Sequence, residues 1–134
     1  MLALLGATIS LQTAPAHAQL ACPANAKARS VVELMFGRKI GDRIGVSNAA
    51  WARFVDREIT PRFPDGLTVV DASGQWRDTR TGGVVREPSK IVTIVLADPD
   101  RQQASLDAVI AAYKKKFRQQ AVGVILRPAC ISFQ

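Results

Sequence analysis

Histidine occurs once in this chain of 134 residues, as His17. That position lies in a leader expected to be removed, so the folded body should contain none. This excludes a histidine-activated nucleophile and a histidine zinc site, and no metal centre is expected. Acid–base chemistry is left to Asp, Glu, Lys and Tyr. Neither G-x-G-x-x-G nor G-x-x-x-x-G-K occurs, so no phosphate-cradling loop and no cofactor are expected. Cysteine is used only twice, at Cys22 and Cys130.

Long apolar runs are also missing, apart from Met1 to Leu11 (MLALLGATISL). That run is too short for a stable membrane span, and Ala16-His17-Ala18 after it matches the small-x-small pattern read by signal peptidase. Residues 1–18 are therefore read as a secretory signal, and the body as exported, periplasmic or secreted. No Lys or Arg precedes the run, which suggests a start assigned too late. A lipoprotein form acylated at Cys22 is the lesser alternative, because Gln19 stands where a lipobox carries Leu.

About 116 residues follow the cleavage point, enough for one domain. An exported chain with two cysteines pairs them, so a Cys22–Cys130 disulfide is expected. It would tie the start of the domain to the segment after the last strand, contributing roughly 4–5 kcal/mol in the chain-entropy picture. Eighteen Lys and Arg oppose eleven Asp and Glu, for a net charge of +7. The cations are scattered, with only Lys114-Lys115-Lys116 clustered. Charge is read chiefly as a solubilising feature, and no nucleic-acid partner is expected.

Periodicity resolves the rest. Residues 19–29 read as a linker. Val32, Leu34 and Phe36 alternate along a first strand, Ser30 to Arg38. Trp51, Phe54, Val55 and Ile59 form an apolar stripe on a helix from about Asn48 to Ile59, capped by Ser47. A second strand begins at Leu67, with a bulge or bend expected over Asp71 to Gly74. Thr79 to Gly83 makes a hairpin tip. The third strand, Val84 to Leu96, is expected to break at Pro88. A second helix, about Arg101 to Gln119, carries Leu106, Val109, Ile110, Tyr113 and Phe117. A fourth strand spans Val122 to Arg127. The order β-α-β-β-α-β predicts a single ferredoxin-like α+β domain over residues 30–134: a four-stranded antiparallel sheet with two helices on one face.

Two helices cover one face only. The other should receive Glu33, Met35, Ile91, Thr93, Val95, Ile125 and Arg127. So apolar a face predicts a cover, and a second copy of the chain would supply one, as in a dimeric α+β barrel. Glu33 and Arg127 should be neighbours there, as an ion pair or as the base of a ligand pocket.

The segments VELMFGR, TPRFPDGLTVVDASGQW and REPSK pack Pro, Arg, aromatic and acidic residues between regular elements. As a set they resemble, over residues 31–133, a family of small exported bacterial proteins catalogued as a domain of unknown function. The resemblance implies fold and location rather than mechanism. Within these segments Arg38, Asp71, Trp76, Glu87 and Lys90 are the candidate ligand-binding residues, beside Glu33 and Arg127. Trp76 is a candidate wall for a ring. Glu87 and Lys90 are a candidate base and anion stabiliser across the Pro88 bend, or simply a surface ion pair.

The reading that results is a non-catalytic module binding a small ligand, an envelope component or a protein partner through the helix-free face, as a homodimer. A cofactor-free enzyme using Asp, Glu, Lys and Arg, and a basic binder of envelope polyanions, are the alternatives.

Overall fold

The computed structural model describes residues 20–134. The leader and its cleavage site lie outside the described residues.

Strand β1 (Lys27–Gly37) is followed by two short strands, β2 (Lys39–Ile40) and β3 (Arg43–Ile44), which pair as a small hairpin. Helix α1 (Asn48–Phe54) runs into one wider turn at Val55–Ile59. Then come β4 (Thr68–Arg77), β5 (Val84–Leu96), α2 (Pro99–Phe117) and β6 (Gly123–Ile131). The main sheet has the order β4-β5-β1-β6, with every pair antiparallel. This is the α+β, ferredoxin-like arrangement expected from the element order.

The helix starts are local chemistry. Ser47 Oγ accepts the Ala50 N–H at 3.1 Å, and Asp98 Oδ1 accepts the Arg101 N–H at 3.1 Å. Each side chain satisfies a donor that the first helical turn leaves unpaired. Pro99 suits the opening of α2, where no N–H is needed. Arg118 ends that helix in the left-handed region, at φ 51°.

Alternation sorts the central strands. Val32, Leu34 and Phe36 of β1 and Val92, Ile94 and Leu96 of β5 are buried against the helices. From the helices come Trp51, Phe54, Leu106, Val109, Tyr113 and Phe117. Phe36 sits at the centre of an aromatic cluster, with ring centroids 5.2 Å from Trp51, 6.0 Å from Phe54 and 4.6 Å from Tyr113. The tilted and edge-on contacts suit rings whose faces are negative and whose edges are positive.

Several boundaries move. β1 begins at Lys27, inside the stretch read as a linker, because β6 continues to Ile131 and pairs it there: Lys27 faces Ile131. Cys130 therefore lies within the last strand rather than after it. The Cys22 and Cys130 sulfurs stand at disulfide distance, 2.07 Å.

Two expectations fail. Asp71 to Gly74 forms no bulge, since the β4–β5 register runs unbroken from Thr68↔Thr93 to Arg77↔Val84. Pro88 does not break β5 either. Its carbonyl accepts the Arg38 N–H at 3.1 Å. Its missing donor faces the Arg38 carbonyl, which instead accepts Gly45 N–H at 3.0 Å and Val46 N–H at 3.1 Å. A proline is tolerated in a central strand where the neighbour's acceptor finds another partner.

Replacing Cys22 and Cys130 together by Ser is expected to cost about 4 kcal/mol of folding stability. Urea unfolding of the wild type, oxidised and reduced, against the double variant checks this. The reduced wild type should match the variant.

Candidate functional site

Beyond Gly37 the β4–β5 ribbon continues without β1 beside it. The turn at the ribbon's tip reaches the segment joining α2 to β6. Thr79 Oγ1 donates to Gln120 Oε1 at 3.2 Å, and Gln120 Nε2 lies 3.4 Å from Asp78 Oδ2. Asp78 also shapes the turn itself, accepting Arg80 N–H at 2.7 Å and Thr81 N–H at 3.2 Å.

The ribbon, the end of β1 and this segment enclose a cavity of about 360 Å³. Met35, Ile91, Ala72 and Trp76 supply its apolar wall, and Gln119 and Gln120 close one side. Among the described residues, Glu87 is the only ionisable one that lines it.

Glu87 is 7% exposed. Trp76 Nε1 donates to its Oε1 at 2.6 Å, and the Lys39 backbone N–H donates to its Oε2 at 2.7 Å. The carboxylate lies against the α-carbon of Gly37, where a methyl group would overlap all three carboxyl heavy atoms. Glycine is needed there for space rather than for its backbone angles. Behind this point Tyr113 Oη donates to the Gly37 carbonyl at 2.7 Å, and Gln119 Nε2 donates to the Lys39 carbonyl at 2.6 Å. Burial, and then the negative charge of Glu87, raise the Tyr113 phenol above its ordinary value. It therefore stays a protonated donor.

Among the described residues no cation lies within ion-pair distance of Glu87, although four are close in sequence or register. Arg86, its neighbour on β5, points to the opposite face of the strand. Arg38 turns away, its Nε donating to the Val46 carbonyl at 2.8 Å and its Nη2 to Asn48 Oδ1 at 2.8 Å. Lys39 offers its backbone rather than its ammonium. Lys90 pairs with Asp71, opposite it on β4.

Of the seven expected residues, the structure thus brings only Trp76 and Glu87 into one cavity. Lys90 is in register with Phe36 and Asp71 with Lys90, which puts this ion pair on the helix face of the sheet. Glu87 and Lys90 are three positions apart on an unbroken strand and point to opposite faces. They form neither a base–electrophile pair nor an ion pair. Arg127 grips both Glu33 oxygens at 3.0 Å, farther along the helix-free face. Its hydrogen bonds hold the Glu33 carboxyl below its usual value, but the pair does not line the cavity. Met35 and Ile91 were legible on this face by alternation. Gly37, Ser89, Gln119, Gln120 and Gly123 were not assigned to a site. For the two glutamines no local pattern exists, because their places are set by remote partners: the hairpin tip for Gln120 and the Lys39 carbonyl for Gln119.

The family model that matches residues 31–133 carries the description "Protein of unknown function (DUF3574)". The chain belongs to that family. No curated protein sequence matches it. Among solved structures, a phage SAM lyase in complex with S-methyl-5'-thioadenosine is similar, with a TM-score of 0.63 at 14% identity, covering 85% of this chain and 95% of that one. CutA from Synechococcus elongatus PCC7942 is similar with a TM-score of 0.50 at 8% identity, covering 78% and 80%. At these identities the likeness is one of fold. Among the described residues no helix is long and apolar enough to cross a membrane.

Gly37→Ala is expected to destabilise the fold by about 1–3 kcal/mol, because the new methyl must displace a buried, doubly bonded carboxylate. In a double-mutant cycle with Glu87→Ala, urea unfolding should show much of that cost relieved.

The Asp78 carboxyl is lowered, first by the Arg80 N–H. Its contribution to stability is therefore full above the ordinary aspartate value and lost as pH falls through the lowered one. Thermal unfolding from about pH 6 to about pH 2 should show a shallower acid decline in Asp78→Asn than in the wild type.

Proposed function

We propose that the chain is an exported, non-catalytic module that binds a small ligand in the cavity of the helix-free face. The observation carrying this reading is the combination of Trp76, Met35 and Ile91 around a single buried carboxylate, Glu87. Binding sites for small molecules are mostly apolar, with a few fixed polar groups that orient the ligand. Trp76 is itself oriented by its bond to Glu87, so the wall and the polar group form one unit.

Export is part of the same proposal. It is supported by the leader pattern and by the cysteine pair at disulfide distance. A homodimer through this face is its third part. Val70 and Ile125 are 51% and 43% exposed there, and a second sheet laid across them would bury both.

An enzymatic reading draws on the fold shared with the SAM lyase and on Glu87 as a lone general base. It is the second choice, because among the described residues no other ionisable group lines the cavity to complete an acid–base pair.

Native mass spectrometry of protein isolated from its own organism tests the proposal. A retained small molecule and a dimer mass are expected. Gly74→Leu should lose the ligand: a Cβ at this position makes only ordinary contacts, 3.6 Å from Ser89 Oγ, and the longer side chain would occupy the cavity. A bare monomer from the native source would contradict the reading.

A further inference from the structure

We infer that the ligand is a small organic cation, an ammonium or amidinium group carried on a flat apolar body. The inference rests on the cavity being the ligand site, and it names the class of molecule that site takes.

The argument starts from charge. Taking a carboxylate out of water costs several kcal/mol, and proteins ordinarily offset this with a cation at ion-pair distance. Glu87 is buried without one among the described residues. The shortage is not one of supply, since Arg38, Lys39 and Lys90 are all within a few residues of it in sequence or register. Arg38 is directed to Val46 and Asn48, and Lys90 to Asp71; Lys39 reaches Glu87 through its backbone N–H and forms no ion pair with it.

The two hydrogen bonds that Glu87 does accept leave acceptor capacity unused, because an ionised carboxylate offers about four lone-pair sites. Both donors are neutral, so the negative charge itself is not cancelled. An incoming N⁺–H group would meet the remaining acceptor capacity and the charge together, in a site where water screens poorly.

The remaining wall suits the same ligand. An indole face attracts cations through its quadrupole. Met35, Ile91 and Ala72 would take the apolar body. An anionic ligand would meet Glu87 with no cation lining the cavity to compensate. A neutral ligand would leave the carboxylate charge as it is.

The test uses three molecules of nearly one shape: benzylamine, benzyl alcohol and benzoate. Each is titrated calorimetrically into the oxidised, full-length mature protein at neutral pH, where benzylamine is a cation. Benzylamine should bind about tenfold or more tightly than benzyl alcohol, the ratio expected of a charge-assisted hydrogen bond, and benzoate should not bind. Glu87→Gln should bring the amine down to the level of the alcohol. Gly74→Leu, which leaves Glu87 in place, should abolish both.

Equal affinity for amine and alcohol in the wild type overturns the cation inference while leaving the cavity as the site. Amine binding that survives Gly74→Leu overturns the cavity reading and the inference with it. No amine binding at all overturns the inference, and binding of the alcohol alone would then still support the site. If Glu87→Gln does not fold, the wild-type ratio and Gly74→Leu decide the matter.

Discussion

A proline cannot donate to a neighbouring strand, and Pro88 sits where β5 would otherwise donate to the Arg38 carbonyl. That carbonyl turns instead to Gly45 and Val46, and β1 stops at Gly37. The chain then folds back through the β2–β3 hairpin, and the β4–β5 ribbon runs on alone. By register, Lys39 would stand opposite Glu87 in a continued β1, and its N–H goes instead to the Glu87 carboxylate. The end of a central strand, where Pro88 offers no N–H, thus supplies one of the two donors that hold Glu87.

The core and the cavity share a wall one residue thick. Phe36 faces the aromatic cluster, and Gly37, the next residue, faces Glu87. Tyr113 belongs to both sides: its ring packs 4.6 Å from Phe36, and its hydroxyl bonds the Gly37 carbonyl. The helices therefore hold the floor of the cavity in place without entering it. Close packing on one face fixes the position of a carboxylate on the other.

The strict two-residue period of a strand also segregates charge. Glu87 and Lys90 look adjacent in the sequence, yet the sheet lies between them. Lys90 meets Asp71 on the helix face, and Glu87 is left with neutral donors on the other. A basic chain thus presents a lone buried negative group in the cavity of its helix-free face. The net charge of +7 does not predict this, because composition counts charges and the pleat decides which of them meet.

The sequence by itself determined the order of the four main-sheet strands and the two helices (the β2–β3 hairpin was not legible), the two apolar stripes, the face on which Val32, Leu34 and Phe36 lie, the proximity of Glu33 to Arg127, and the pairing partners among two cysteines. These follow from local periodicity, from topology, or from a count with one solution. Only the tertiary structure decided that Pro88 would be absorbed rather than break its strand, that Trp76 and Glu87 share the cavity while Asp71 and Lys90 pair on the opposite face, and that Gln119 and Gln120 close the cavity. The physical reason is the same in each case. Whether a backbone group or a charge is satisfied depends on partners in other elements, from seven residues away to more than forty, and no local pattern carries their positions.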